Sequence, residues 1–431
     1  MKTLLFIVAL SGCGDDDKAD PPPLSFDDTA PSGVEDQDSG LEGLDSGDGV
    51  PSELDAIFSS ERPSLRSEVY GVGDPSTNTI MVFGGNEGPV VNQRPTSIFV
   101  EETWIFEPGY GWTELDIDMP SARARYGAAY DPTAERALIF GGRYRIEGGS
   151  GAYDLFDELW SFDFASQSWT LIDAEGGPSA RTYPSVFWDD QEQALYVFGG
   201  MVNADPMVIE VNQELWRFKD GTWEQLEMGG DAPSPRTFLS EAWDSQRRRL
   251  VIFAGQVGNY WDYAYNETYA LNIDTLEWVE LNDGSDAPST RMHPHLTYDT
   301  ERDRYLMFGG HTDIGDGNDL WEMDPESGAW STIRNADSFT GEGLGCNGNP
   351  SDVPADYVDQ DLSAPERRHR GMFTLMHDAL WIFGGMHAEC SAHLDDTWRY
   401  PLGGGDWTEL IEARSGESCA RRDDDCQCLC Y

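Results

Sequence analysis

Short apolar runs that end in two glycines recur along the chain: "IMVFGG", "ALIFGG", "LYVFGG", "YLMFGG" and "LWIFGG", with "VIFAG" standing fourth among them. The glycine pairs are Gly84 and Gly85, Gly141 and Gly142, Gly199 and Gly200, Gly309 and Gly310, and Gly384 and Gly385, with Ala254 and Gly255 in the fourth unit. Aligned on them, each unit opens with an Arg at the head of an alternating run. It reaches an Asp eight residues later, passes through the apolar run, and carries two spaced aromatics beyond the glycines. The period is about 55 residues, which marks repeats of one architecture rather than separate domains.

Every unit offers four short strands. In the second they are "RYGAAYD", "ALIFGG", "LWSFD" and "SWTLI", separated by turn-rich residues such as "DPTAER" and "ASQS". One such sheet has two apolar faces and needs neighbours on both, so several sheets pack face to face around an axis. The apolar strand, the paired glycines and the two spaced aromatics resemble the kelch repeat over roughly residues 62 to 411. The resemblance implies an all-β fold, a six-bladed kelch-type β-propeller of four-stranded antiparallel blades.

The opening Arg and the start of the third strand belong at one rim, because consecutive strands are antiparallel. An acid stands there in all six units, which predicts the pairs Arg66 with Glu102, Arg123 with Glu158, Arg181 with Glu214, Arg236 with Glu267, Arg291 with Asp319 and Arg370 with Asp396. Bare glycine backbone would give each guanidinium clearance to its carboxylate. Kelch domains of some adaptor proteins bind acidic peptides with such arginines. Recurrence in every unit assigns them here to the fold, since a site needs only a few residues. The Asp residues at 74, 131, 189, 244, 299 and 378 read as turn formers and the aromatics as packing between blades.

The N-terminus changes the picture of where the chain resides. Lys2, the run "TLLFIVAL" and "SGC" form a short secretory signal over residues 1–12. "LSGC" resembles the lipobox of bacterial lipoproteins, which makes Cys13 the lipid anchor. The Asp-, Gly-, Ser- and Pro-rich residues 13–52 are expected to be a disordered acidic tether, since they carry too few large apolar side chains to offset the entropy of ordering. "GDDD" after the anchor resembles acidic surface-export tags of some bacterial lipoproteins, but a charge run of this kind reads first as a solvated spacer. These readings predict an exported, lipid-anchored protein of a bacterial cell envelope, at the outer membrane or cell surface. The net charge of −51, from 79 acidic and 28 basic residues, repels phosphate backbones, so nucleic acid is excluded as a partner.

Function belongs where the repeats differ. Long loops after the glycine pairs of units one to three share the Arg rim, as does an insertion from Asn335 to Pro365 that carries Cys346. All seven histidines fall in units five and six, and "HAECSAH" spaces His387, Cys390 and His393 three apart. His387 and His393 are therefore candidate ligands of zinc or copper. The competing reading is a Cys346–Cys390 disulfide that leaves the histidines on the surface. The tail over residues 412–431 holds Cys419, Cys426, Cys428 and Cys430, which with the other two make an even six for three bridges, or a thiolate metal site. "DIGDGND" lacks the spacing of a calcium loop.

The propeller occupies residues 53–411, and residues 53 to 58 are a candidate outer strand for the last blade. Two roles remain open. One is an interaction module that holds a protein, peptide or glycan on its rim loops, with no cofactor. The other is an enzyme, by resemblance to the kelch relatives that act on sugars. Galactose-oxidase-like copper enzymes need a Tyr–Cys cross-link inside the propeller, whereas each Cys here falls in a loop, the tail or the signal. Six-bladed sialic-acid mutarotases remain the alternative, with a metal-dependent enzyme built on the histidines beside it.

Overall fold

The computed structural model describes residue 57 and residues 59–91, 94–149, 151–205, 208–257, 264–313, 315–336, 363–388 and 392–414. Among them the regular structure is all strand, and no helix is long and apolar enough to cross a membrane. Cys13 and the six cysteines at 346, 390, 419, 426, 428 and 430 lie outside the described residues, as do most of the insertion and positions 53–56.

Six sheets follow one another, each with four antiparallel strands as its frame; the fourth adds the short strand Gly229–Gly230, parallel to Glu277–Asn282, and the fifth adds Arg291–Met292. The first comprises Tyr70–Asp74, Thr79–Phe83, Thr103–Glu107 and Gly111–Leu115, with Tyr70 opposite Phe83, Phe83 opposite Thr103 and Thr103 opposite Leu115. The innermost strands of the others are Gly127–Asp131, Ser185–Asp189, Ser240–Asp244, His295–Asp299 and Met372–Met376. Residues from all six inner strands line a central channel of about 520 Å3. The fold is a six-bladed β-propeller.

Its core lies between blades, and the second aromatic of each repeat does most of the joining. Each Trp packs on the Phe that precedes the glycine pair of the previous blade, at 5.2 Å for Trp169 on Phe83, 5.6 Å for Trp223 on Phe140 and 5.2 Å for Trp278 on Phe198. The series continues at 5.0 Å for Trp330 on Phe253 and 5.4 Å for Trp407 on Phe308, and closes at 4.7 Å with Trp112 of blade one on Phe383 of blade six. Such pairs contribute about 0.5–1.5 kcal/mol each beyond their buried area. The ring thus closes by the same contact that joins every other pair of blades, and among the described residues no strand is exchanged between termini.

The glycine pairs serve a related end. The second glycine donates its amide to the carbonyl of the next blade's opening Arg, as in Gly85 to Arg123 at 3.0 Å and, across the seam, Gly385 to Arg66 at 2.9 Å. A Cβ on Gly84 would stand 2.4 Å from that Arg123 carbonyl, so the close approach, together with a left-handed φ of 62°, excludes a side chain there. The opening Arg turns back to its own blade. Its guanidinium donates to the first glycine's carbonyl, at 3.1 Å for Arg66 on Gly84, and reaches the carboxylate at the head of the third strand. These ion pairs measure 2.5 Å for Arg66–Glu102, 2.7 Å for Arg123–Glu158, 3.2 Å for Arg181–Glu214, 3.1 Å for Arg236–Glu267 and 2.9 Å for Arg291–Asp319. In five blades the first aromatic completes the group by donating its indole N–H to the same carboxylate, as Trp104 does to Glu102 at 2.9 Å, whereas Tyr269 of blade four hydrogen-bonds Glu280 instead.

In blade six the partner of Asp396 is Arg368, bidentate at 2.6 Å through both nitrogens, and not Arg370. The cause is a shortened hairpin. Sixteen residues separate Arg368 from Gly384, whereas 18 separate Arg66 from Gly84. Met376 therefore takes the place that Asp74 holds in blade one, and Asp378 sits in the exposed two-residue turn before Ala379. The other turn acids accept backbone N–H groups, as Asp74 does from Ser76 and Thr77 at 3.0 and 3.1 Å.

The two ends of the propeller meet on one buried carboxylate. Asp395 receives Arg62 at 3.2 Å from the N-terminal side and Arg414 at 3.3 Å from the C-terminal side. Ser59 hydrogen-bonds Tyr110 and Trp112 of blade one's outer hairpin at 2.7 Å each, so the described start of this segment runs along blade one.

Candidate functional site

Two residues beyond each opening Arg stands a non-glycine residue with φ near +60°: Glu68, Arg125, Tyr183, Phe238, His293 and Arg370. This left-handed backbone is uncommon for such side chains, and its recurrence has a local reason. Four of the six turn the amide toward the preceding blade, giving hydrogen bonds from Glu68 to Arg370 at 2.7 Å, Arg125 to Glu68 at 3.3 Å, Tyr183 to Arg125 at 2.8 Å and His293 to Phe238 at 2.7 Å. The six residues form a collar at the channel mouth. The backbone of the collar repeats and its side chains do not, which is the signature of a site laid over a scaffold.

One side of the collar is ionic. Glu68 is fully buried and receives Arg125, Arg143 at 3.2 Å and Arg370 at 3.6 Å. Burial alone would raise its pKa, but the three guanidinium groups overcome that and hold it well below the usual carboxylate range. Burial in turn lowers the pKa of Arg143 and Arg370, with Arg125's charge adding to the effect on both. Three cations thus share one anion. The Nε atoms of Arg125, Arg143 and Arg370 are buried without hydrogen-bond partners.

The opposite side is aromatic. Tyr183 and Phe238 lie 5.0 Å apart, and Phe238 and His293 4.5 Å. Arg125 stands over the Tyr183 ring at 4.6 Å, joining the two halves. The Tyr183 hydroxyl is buried and has no partner. His293 Nε2 accepts from Arg370 at 3.0 Å, and burial first, then Arg370's charge, holds this imidazole neutral.

Above the collar lies a cavity of about 530 Å3, roofed by the long loops of blades one to three. The loops fold into small ribbons, Val90–Val91 with Arg94–Pro95 and Arg143–Tyr144 with Asp154–Leu155. From the second come Arg143 and, beside it, Arg145, both stacked on Tyr153 at 4.0 and 4.2 Å. Arg125, Arg143, Arg145 and Arg370 all face this cavity, against one lining acid, Asp205. In a chain of net charge −51, this concentration of cations stands alone among the described cavities.

Histidine and aspartate complete the wall. Blade five has almost no loop after its glycine pair, so its strands Arg304–Thr312 and Gly315–Met323 run on into a hairpin that sets His311 opposite Asp316. His369, next to Arg368, faces the same carboxylate, with its Nδ1 2.9 Å from Asp316 Oδ1, while His311 Nδ1 bonds that oxygen at 2.5 Å. Asp316 Oδ2 accepts the Ala388 amide at 2.6 Å. Burial pushes the His369 imidazole down to about 4, so at neutral pH the ring is neutral beside an ionised Asp316.

The candidates His387 and His393 sit differently. His387 pairs across its ribbon with Ala392 and His393 with Met386, so the two imidazoles project from opposite faces. His393 Nε2 donates to the Gly88 carbonyl at 2.8 Å. Neither they nor His293, His311 and His369 lie at the surface, as the disulfide reading expected; all five are buried, while His377 is exposed. Among the described residues, His311, Asp316 and His369 are the group that could hold a metal. In the sequence "DIGDGND", Asp316 serves the histidines, Asp319 pairs with Arg291, and Asn318 donates to the Pro365 carbonyl.

Fold and repeats define a class, and comparison with known proteins agrees. Residues 191–342 match the family model described as the KLHDC2/KLHL20/DRC7 Kelch-repeats domain. The solved structure of YjhT superposes with a TM-score of 0.58 at 14% identity, over 81% of this chain and 99% of that one. Curated relatives include an N-(sulfonatooxy)prop-2-enimidothioate sulfolyase of Thlaspi arvense, 26% identical over 48% of this chain and 61% of its own. Another is the Rab9 effector protein with kelch motifs of Bos taurus, 28% identical over 44% of this chain and 52% of its own. The chain spans about half to three fifths of the length of these two relatives. It is a kelch-repeat β-propeller.

Proposed function

We propose that the protein is an interaction module whose channel mouth takes up an anionic group, the carboxylate of an acidic peptide segment or an acidic glycan. One observation carries this reading: Arg125, Arg143 and Arg370 converge on the single carboxylate of Glu68, leaving cationic charge uncompensated in a strongly acidic chain. Guanidinium groups recognise carboxylates through paired N–H donors, and the Tyr183, Phe238 and His293 rings offer the ligand's apolar body a surface to stack on. The roofing loops then give selectivity. Export by the N-terminal signal and lipidation of Cys13 belong to the same reading. A bacterial cell-envelope protein tethered through its acidic segment would present this mouth to a partner protein or a surface glycan.

Calorimetric titration with an acidic peptide, an acidic sugar and their amidated counterparts tests it. One of the acidic ligands should bind, its neutral counterpart should bind at least about tenfold more weakly, and Arg143→Gln and Arg370→Gln should each cost a similar factor, which corresponds to about 1.4 kcal/mol. Equal affinity for charged and neutral ligands, or indifference to both substitutions, would overturn the reading.

A second reading, that the same mouth is an active site acting on sugars, is favoured by His311 and the neutral His369, which both face Asp316 in the cavity wall, an arrangement suited to proton transfer. Turnover of an acidic sugar that is lost in His369→Ala while binding persists would select it.

A further inference from the structure

We propose that His311, Asp316 and His369 form a binding site for one borderline divalent metal ion of the zinc class, set in the wall of the mouth cavity. Each residue offers one donor atom, and these atoms all lie within 4.8 Å of one another. The placement is built by the fold. His311 and Asp316 are opposed across the blade-five hairpin, and His369 enters from blade six.

The geometry of His369 distinguishes this group from an ordinary hydrogen-bonded cluster. Its Nδ1 is 2.9 Å from Asp316 Oδ1, yet it makes no hydrogen bond, because the oxygen lies off the direction in which that nitrogen points. The side chain is 3% exposed, so water does not readily take the missing place, and a buried nitrogen left unpaired is destabilising. Two ligands of one ion show this relation. With bonds of roughly 2.0–2.2 Å in tetrahedral geometry they stand about 3.3 Å apart, each aimed at the ion and off the other's axis. A modest outward shift of His311, whose Nδ1 now hydrogen-bonds Asp316 Oδ1 at 2.5 Å, admits the ion in place of the bridging proton, which is released.

The surroundings fit as well. Asp316 Oδ2 is fixed by the Ala388 amide, the kind of outer hydrogen bond that orients a metal-bound carboxylate. Two imidazoles and one carboxylate are a donor set for zinc and its neighbours rather than for calcium or magnesium. Three protein ligands leave a fourth position open, and His311 and His369 both line the cavity that holds the four arginines. His293 stays outside the set, since its Nε2 accepts from Arg370.

The full mature chain, stripped with a chelator, would be titrated with zinc and separately with cobalt(II), in the absence of any anionic ligand. A failure of the ligand reading therefore leaves this result untouched. The expected outcome is one equivalent bound, visible cobalt bands without thiolate charge transfer, and affinity weakened by roughly tenfold or more in His369→Ala and His311→Ala. Near-UV circular dichroism reports whether the variants keep the packed core. If either alanine variant fails to fold, the isosteric Asp316→Asn must show the same weakening. The proposal is overturned by no uptake of either metal, by a thiolate charge-transfer band that puts the ion on the cysteines, or by unchanged affinity in folded variants.

Discussion

Trp112 in the first blade donates its indole N–H to the hydroxyl of Thr397 in the last, at 3.0 Å. The same bond joins Trp169 to Thr103 at 3.0 Å and Trp330 to Thr268 at 3.3 Å, each reaching from one blade to its predecessor. The seam where the chain's two ends meet is chemically one more blade junction.

Replacing Thr397 by Val keeps the shape and strands a fully buried N–H, which should cost about 1–3 kcal/mol. Thr103→Val should cost about the same. Denaturant midpoints of both variants check this, and a markedly larger loss at position 397 would show that the seam is weaker than the other junctions.

Arg368 and Arg370 are two residues apart and have opposite roles. Arg368 is fully buried in a bidentate pair with Asp396, so Arg368→Ala leaves a buried carboxylate uncompensated and should cost about 3–5 kcal/mol. Arg370→Ala leaves Glu68 with Arg125 and Arg143 and relieves repulsion among three cations, so it should cost less stability than Arg368→Ala while uptake of an anion weakens. Equilibrium unfolding of the two variants decides, and the reverse order would refute the register given for blade six.

Glu241 projects from the inner strand of blade four into the channel, where burial pushes its carboxyl up to about 8. An unfolded Glu titrates near about 4.3. Because the folded value is raised, this residue's contribution is fully favourable below the unfolded pKa and is lost as pH rises through the folded one. Between about pH 4 and pH 8 the wild type should therefore lose stability relative to Glu241→Gln, by at most about 1.4 kcal/mol per pH unit. Unfolding free energies of both proteins across that range test the sign, and a difference that does not change with pH would show the carboxyl to be ionised throughout.

The repeat was legible because glycine pairs, turn acids and tryptophans are demanded by backbone geometry and therefore recur. The same reasoning failed by two residues in blade six, because it counted eight residues from an Arg to an Asp and met Arg370 and Asp378 in a blade whose hairpin is shorter. Counting back from the glycines would have found Arg368. The collar was legible in principle, as the one position two residues past each Arg where chemistry varies among Glu68, Arg125, Tyr183, Phe238, His293 and Arg370. What hid it was the assumption that such positions are alternate strand residues, when their left-handed backbone turns them into the mouth. The meeting of His369 with Asp316 joins two blades, and only ring geometry brings them together. The pairing of His311 with Asp316 was signalled by the missing loop after Gly310, whereas the even spacing of His387 and His393 places them on opposite faces of a ribbon.

Four of the collar's six amides are satisfied by the carbonyl of the preceding collar residue, and the residues so joined carry Glu, Arg, Tyr and His side chains. The backbone at these positions thus holds with very different side chains, provided each tolerates a left-handed conformation. The propeller separates the part of its sequence that must stay from the part that is free to change, and places all of the latter around one opening. In a frame of this kind, chemistry at the opening can vary while the glycine pairs, arginines and tryptophans that join the blades stay fixed.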